Sequence, residues 1–155
     1  MFHTLNINNP IYAQLLLSAA LGALIGLERE LAGKDASLRT FMIICLGSCL
    51  FTEASRLIVL SSPGSDPGRI AAQIVTGIGF LGAGAIFKSN FGIEGLTTAA
   101  LIWLTAAIGM LCGLGEHELA IGAAIIAIGF MILLNIVHAI IRRLRPDYYT
   151  DTDEL

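Results

Sequence analysis

Hydrophobic residues in this sequence are concentrated in five runs that short polar stretches separate. The runs cover about residues 10–27, 40–60, 69–87, 96–114 and 118–141. Each has about the 17–25 residues that an α-helix needs to cross the hydrocarbon core of a bilayer. The stretches between them contain proline, glycine, asparagine and serine, which commonly end helices. The pattern predicts an all-α membrane protein, with one domain over residues 1–155 and five transmembrane helices packed as a bundle.

The composition favours a membrane protein over a soluble one. Hydrophobic residues make up 55% of the 155 residues, charged residues make up 14%, and the mean hydropathy is +0.79. Soluble domains are nearer about 45–50% apolar and about 25% charged. A soluble helical bundle would also need a charged face on each helix, which most of these runs lack. The lipid bilayer is therefore the expected partner. Nucleic acid is not expected to bind, because the basic residues form no stripe.

Basic residues predict the orientation of the five helices. With the N-terminus outside, seven of the nine Lys and Arg residues fall on the cytoplasmic side, whereas Arg69 falls outside and Arg56 lies within the second run. Cytoplasmic loops of membrane proteins carry such an excess of positive charge. The prediction is N-terminus out and C-terminus in. The seven residues are Arg29, Lys34, Arg39, Lys88, Arg142, Arg143 and Arg145.

Glycines are unusually frequent in the third hydrophobic run, which contains no ionisable residue between Ile70 and Phe87. In membranes, small residues let helix backbones approach closely, and this approach is a large part of what holds such helices together. The third run is therefore predicted to pack tightly against other helices. Residues 77–82 also match the dinucleotide fingerprint GxGxxG, but the match lies inside a membrane span, where it would not bind a nucleotide. The predicted packing glycines are Gly22, Gly26, Gly77, Gly79, Gly82 and Gly84.

Polar and charged side chains cluster at the ends of the runs, where they are candidates for an ion pathway. Hard cations such as Mg²⁺ take oxygen ligands from carboxylates, amides and hydroxyls. Glu28 and Asp66 are the candidate metal ligands, and Mg²⁺ is the one ion that the pattern suggests. Helix capping is the alternative explanation for Asp66, which precedes the third run. The complete candidate set is Glu28, Arg29, Glu30, Arg39, Asp66, Arg69, Gln73, Asn90, Thr97 and Thr98.

Catalytic motifs are not evident in the sequence. It contains no HExxH motif, no Ser-His-Asp arrangement and no paired catalytic carboxylates. We therefore expect no enzymatic activity, no catalytic residue and no cofactor other than the candidate Mg²⁺. The three cysteines lie in apolar runs, where cysteine usually packs as a small hydrophobic residue.

Four blocks of the sequence resemble the MgtC/SapB family of bacterial inner-membrane proteins. They are GLERE at 26–30, SLRT at 37–40, DPGRIAAQIVTGIGFLGAGAIF at 66–87 and GLTTAALIWLTAAIGMLCG at 95–113. The resemblance covers about residues 10–141 and implies a five-span bundle in the inner membrane. It also implies a role in growth at low magnesium and, in pathogens, in survival inside host cells and virulence. The chain resembles a short form that lacks the cytoplasmic C-terminal domain of longer members.

Two hypotheses for the function follow from these features. In the first, the protein is a Mg²⁺ transporter or channel component, whose end carboxylates attract the hydrated cation while arginines orient them. Five helices are few for a complete pathway, so this hypothesis requires a homo-oligomer. In the second, the protein is a non-transporting regulator that docks on a larger membrane complex through its small-residue helix faces. The family resemblance implies that the ATP synthase is one such complex.

Overall fold

The described residues form five α-helices and one short hairpin. In the computed structural model of the chain, residues 10–34, 37–62, 64–90 and 92–144 are described. The elements are α1 (Pro10–Leu31), α2 (Leu38–Ser61), α3 (Gly68–Gly84), β1 (Phe87–Ser89), β2 (Gly92–Glu94), α4 (Leu96–Leu114) and α5 (His117–Leu144). All of the helices except α3 are long and apolar enough to cross a membrane. The expectation of a mostly helical fold with membrane-spanning helices is therefore confirmed for four of the five runs.

The third run does not continue as a helix to residue 87, and this corrects the predicted boundary. The 17-residue α3 ends at Gly84, short of the about 20 residues typical of a spanning helix. The chain then forms an antiparallel hairpin, in which Phe87 pairs with Glu94 and Ser89 pairs with Gly92. Gly95 follows with a φ of +84°, a left-handed conformation that suits glycine. The hairpin was not predicted, because a short apolar stretch has no periodicity that separates strand from helix.

The centre of the bundle is formed by α1, α2 and α4, which pack against one another. Phe41, Ile25 and Ile108 are fully buried there, together with all three cysteines. Gly22 and Gly26 make the close approach possible. An added Cβ at Gly22 would lie 2.6 Å from the carbonyl oxygen of Phe41, and one at Gly26 would lie 2.6 Å from the Cα of Leu38. Both glycines therefore bring the backbone of α1 against α2.

Gly109 and Gly113 do the same on α4, where they face α2. An added Cβ at Gly113 would lie 2.7 Å from the carbonyl oxygen of Cys49, and one at Gly109 would overlap the carbonyl oxygen of Cys45. Real Cβ atoms essentially never come within 3.0 Å of such atoms. The three central helices are therefore in backbone contact along two interfaces.

The predicted packing of the third run is not found at Gly77, Gly79 and Gly84. No heavy atom of the described chain lies within 4 Å of a Cβ added at any of the three, and at Gly82 the nearest atom is the carbonyl oxygen of Ala99 at 3.5 Å. The buried stripe of α3 consists of Ile74, Ile78 and Gly82 instead. Large apolar side chains thus hold α3 against α2 and α4, and the other three glycines lie off that stripe.

The last helix, α5, lies at the edge of the bundle on α4 and α1. It has 28 residues. Among those whose burial is described, the buried ones are Ala120, Ala124, Ala127 and Met131. Every residue from Ile132 to Ile141 is exposed. Most of the surface of this helix therefore faces the surroundings of the bundle.

Candidate functional site

Glu28 and Arg29 form an ion pair at the end of the bundle where α1 stops and α2 starts. Arg29 is only 4% exposed, and its NH2 group donates to Glu28 Oε1 over 2.6 Å. Its Nε donates to the other carboxylate oxygen. The amide of Asn135 on α5 also donates to Glu28 Oε1, over 3.1 Å. Both carboxylate oxygens of Glu28 therefore accept hydrogen bonds from protein donors. The bond from Asn135 joins α1 to α5.

Glu30, which was predicted as part of an ion pathway, contacts the start of α2. Its Oε2 accepts the backbone N–H of Leu38, the first residue of α2, over 3.2 Å. A negative charge at this position interacts favourably with the positive end of the dipole of α2. Arg39 is exposed at the same helix start. The GLERE and SLRT blocks thus meet in space, and their contacts join α1 to α2.

Asp66 lies at the opposite end of the bundle, where it binds the start of α3. Its Oδ1 accepts the backbone N–H of Gly68 over 2.8 Å. The N-cap residue of α3 is Pro67, which makes no side-chain capping bond. The Asp66 bond lies at the same helix start, where the sequence offered capping as the alternative to a ligand. Nearby, the hydroxyl of Ser55 on α2 donates to the carbonyl oxygen of Pro67 over 3.1 Å. The two bonds fix the start of α3 against α2.

The Asp66 cavity, as we call it, has a volume of about 590 Å³ between α2 and α3. Asp66, Arg69 and Gln73 line it together, along with Ser55 and Ser65. The structure therefore brings three of the predicted polar residues to one cavity.

The Lys34 cavity lies at the end that contains Glu28, among the ends of α2, α3 and α4 and the hairpin. Its volume is about 800 Å³, and its polar lining residues are Lys34, Thr40, Glu94 and Thr98. Of the predicted residues only Thr98 lines it, whereas Asn90 and Thr97 are exposed and are not part of its lining. Lys34 and Thr40 were not predicted as site residues, although Thr40 is the last residue of the SLRT block and Lys34 lies three residues before that block.

The α2–α3 groove connects these two cavities along the side of the bundle. It has a volume of about 660 Å³ and shares Ile70 and Gln73 with the Asp66 cavity. It shares Ile43, Ile44 and Leu81 with the Lys34 cavity. Gly47, Ser48 and Gly77 lie between the two ends, with Phe51, Ile74 and Ile78. The groove therefore runs between two cavities with polar linings, and the polar side chains of its own lining are Ser48 and Gln73.

In the part of the chain that the structure describes, neither end carries a metal-binding group of side chains. Among residues 10–34, 37–62, 64–90 and 92–144, no group of three or more His, Cys, Asp or Glu side chains is placed to hold a metal ion. The buried carboxylate within α2, Glu53, is paired with Arg56, whose Nε donates to it over 2.8 Å. The predicted ligands Glu28 and Asp66 lie at opposite ends of the bundle and do not form one site.

Comparison with known proteins identifies the family. The model of the MgtC family matches residues 15–140. YhiD of Escherichia coli K12, by name a proposed magnesium transporter, is 45% identical over 141 residues, which cover 88% of this chain and 64% of that protein. Protein MgtC of Salmonella typhimurium LT2 is 48% identical over 126 residues, covering 81% of this chain and 53% of that protein. The chain thus spans only part of the length of these relatives. No solved structure matches. From the family match and these identities, the chain belongs to the MgtC family.

Proposed function

We propose that this protein acts in magnesium homeostasis as a multi-pass protein of the bacterial inner membrane, and that it does so by docking on another membrane complex. In this proposal it neither catalyses a reaction nor passes the ion through its own bundle. Membership of the MgtC family and the name of YhiD support the link to magnesium. The distribution of basic residues supports an N-terminus outside and a C-terminus inside, with α3 as a short fifth span.

The observation that carries this proposal is the closed centre of the bundle. Gly22, Gly26 and Gly113 bring α1, α2 and α4 into backbone contact. Side chains between these helices, such as Phe41 and Ile108, are fully buried. Mg²⁺ loses its water ligands reluctantly and usually keeps several of them when bound. Backbone contact at these glycines argues against a path for an ion of that size between the three helices.

The end carboxylates support the same conclusion. Glu28 is bonded to Arg29 and Asn135, and an oxygen of Asp66 accepts a helix N–H. A carboxylate that is already paired has less negative charge to offer a cation. Its bonds instead fix the ends of helices, which is a structural role.

A surface suited to helix association is present on α5. Gly122 and Gly129 lie seven residues apart on this helix, with no atom of the described chain within 4 Å of an added Cβ at either. A partner helix can approach the backbone at such positions. A large membrane complex such as the ATP synthase, which the family resemblance suggested, is the proposed partner.

Transport by an oligomer is the second candidate function, and the α2–α3 groove favours it. The groove leads from Asp66, Arg69 and Gln73 to Glu94 and Thr98. Its middle is apolar and open at the side, so a second copy would have to cover it and supply polar groups before a hydrated ion passed.

Two measurements separate the candidates. The first is Mg²⁺ entry into liposomes that contain the purified protein and a Mg²⁺-sensitive dye, for the wild type, Asp66→Asn and the control Glu116→Gln. Glu116 is an exposed carboxylate outside the Asp66 cavity. The docking proposal predicts no protein-dependent flux in any of the three. A flux that Asp66→Asn abolishes and Glu116→Gln retains would overturn it in favour of transport.

The second measurement is recovery of the partner complex with the tagged protein from native membranes. Gly129→Leu should reduce recovery strongly, because the side chain blocks close approach of a helix. Ile125→Leu, which retains the bulk of an exposed residue on the same helix, should leave recovery unchanged. Equal recovery with both variants would exclude this face of α5 as the docking surface.

A further inference from the structure

The Lys34 cavity and the α2–α3 groove together have the shape and polarity of a lipid site. The cavity has charged and hydroxyl groups at the bundle end, and it opens through Ile43, Ile44 and Leu81 into an apolar groove. Their volumes, about 800 and 660 Å³, lie within the range of about 300–1,000 Å³ that is common for ligand sites. The ligand that matches this lining has a polar head and a long apolar tail.

The polar part of the cavity contains groups that bind a phosphate. Lys34 supplies a positive charge, and Thr40 and Thr98 supply hydroxyl donors. Thr98 lies in the first turn of α4, whose first helical bond runs from the N–H of Ala99 to the carbonyl oxygen of Gly95. The N–H groups of residues 96–98 therefore have no partner within the helix, and they add to the positive end of its dipole.

Glu94 adds a negative charge to the same cavity. A purely anionic headgroup would be repelled by this carboxylate, whereas a headgroup with both a phosphate and an ammonium group has a partner for each of the two charges. Phosphatidylethanolamine is a phospholipid with that pair of groups. Its ammonium group also donates hydrogen bonds, which a carboxylate accepts strongly.

The apolar part of the site offers an open channel for an acyl chain. Gly47 on α2 and Gly77 on α3 both line the groove, and no atom of the described chain lies within 4 Å of a Cβ added at either. Ile43, Phe51 and Leu81 leave more than half of their surfaces exposed along it. The absence of side chains at the two glycines widens the groove at its middle.

We propose that one molecule of phosphatidylethanolamine binds in this site. Its phosphate contacts Lys34, Thr40 and Thr98, its ammonium group contacts Glu94, and one acyl chain lies in the α2–α3 groove beside Gly77. With the N-terminus outside, this end of the bundle faces the cytoplasm, so the lipid comes from the inner leaflet. The site is independent of the proposed function, since either a regulator or a transporter could contain it.

Lipid binding to the purified full chain, measured by native mass spectrometry with added dioleoyl-phosphatidylethanolamine or dioleoyl-phosphatidylglycerol, tests the headgroup contacts. The wild type should prefer the ethanolamine lipid. Lys34→Gln should weaken its binding by about tenfold, the effect of losing one hydrogen bond to a charged group. Glu94→Gln should reverse the preference in favour of the glycerol lipid. Lys88→Gln is the control, because Lys88 is an exposed lysine of the hairpin outside the cavity lining.

A second pair of variants tests the acyl chain. Gly77→Leu should fill the groove and abolish binding of the ethanolamine lipid, whereas Gly79→Leu, on the same helix but outside the groove lining, should not. Both positions are open, and leucine is a better helix former than glycine, so both variants should fold.

Three results would overturn the proposal. The first is equal binding of the two lipids by the wild type and Glu94→Gln. The second is equal loss of binding in Lys34→Gln and Lys88→Gln. The third is a wild-type dimer that Gly77→Leu dissociates while lipid binding stays unchanged, which would assign the groove to a second copy of the chain.

Discussion

Replacement of Gly22 by alanine tests the close contact of α1 with α2 that forms the centre of the bundle. The added methyl group would lie 2.6 Å from the carbonyl oxygen of Phe41, 2.7 Å from the Cβ of Cys45 and 2.9 Å from the Cα of Met42. Two of these three atoms belong to the backbone of α2. A rotamer change therefore cannot relieve the overlap, and the helices themselves must move.

The size of the effect follows from that movement. An ordinary contact begins at 3.4 Å, so the distance to the Phe41 oxygen must increase from 2.6 to 3.4 Å. A gap of about 0.5–1 Å forfeits a quarter to a half of the van der Waals attraction of the atoms that it separates. Overpacking of this kind costs about 1–3 kcal/mol, and alanine regains up to about 1 kcal/mol of helix propensity. We expect a net loss of about 1–2 kcal/mol in the free energy of unfolding.

The assay is a titration of the protein with SDS in mixed micelles, followed by helical circular dichroism and by the fluorescence of Trp103, the one tryptophan in the sequence. Gly129→Ala is the matched control, since no atom of the described chain lies within 4 Å of its added Cβ. The control should be as stable as the wild type or up to about 1 kcal/mol more stable. If Gly22→Ala unfolds at the same SDS fraction as the control, the argument from helix contact is refuted.

Three further predictions concern charge, backbone conformation and topology. Arg29→Leu should destabilise the protein by about 3–5 kcal/mol in the same titration, because it leaves the carboxylate of Glu28 without its buried partner; the double variant with Glu28→Gln should recover part of the loss. Gly95→Ala should reduce the yield of monodisperse protein in size-exclusion chromatography far more than Gly92→Ala. Both glycines have positive φ, but only the Cβ at Gly95 would collide with a backbone carbonyl. The three native cysteines are buried and should not react with a maleimide before denaturation. A cysteine introduced at Glu116 should then react with an impermeant maleimide from outside the cell, and reaction only after permeabilisation would reverse the predicted orientation.

Much of the fold could be predicted because membrane helices are long, and glycine and proline often lie at their ends. The fourth run was placed at residues 96–114, which are the bounds of α4. In the structure, glycines with positive φ, Gly95 and Gly115, flank this helix on both sides. The end of α3 was missed because Ile86 and Phe87 continue the apolar run without continuing the helix. Hydrophobicity alone does not report where the backbone changes from helix to strand.

The candidate site was predictable only where its residues are close in sequence. Asp66, Arg69 and Gln73 lie within eight positions, and they line one cavity as a consequence of the start of α3. By contrast, the bond from Asn135 to Glu28 joins residues 107 positions apart. No local sequence pattern predicts such a contact. Only the structure reveals that protein donors bond both carboxylate oxygens of Glu28.

A small residue in a membrane helix predicts that another group approaches the helix backbone closely, but it does not identify that group. At Gly22 the missing side chain admits the backbone of α2, whereas at Gly77 the same absence leaves an open groove. The difference depends on neighbouring side chains. On α3, Ile74 and Ile78 lie on the buried face, and Gly77 lies on a different face, away from the core. In a bilayer an open glycine exposes backbone to lipid or to a second chain, and either occupant gains contacts there that a larger side chain would prevent.

Gly77→Leu should therefore leave the stability of the isolated bundle unchanged or higher, while Gly22→Ala lowers it. Substitution of two glycines that look alike in the sequence would then have different effects on stability in one titration. Equal destabilisation by both would contradict the open position assigned to Gly77.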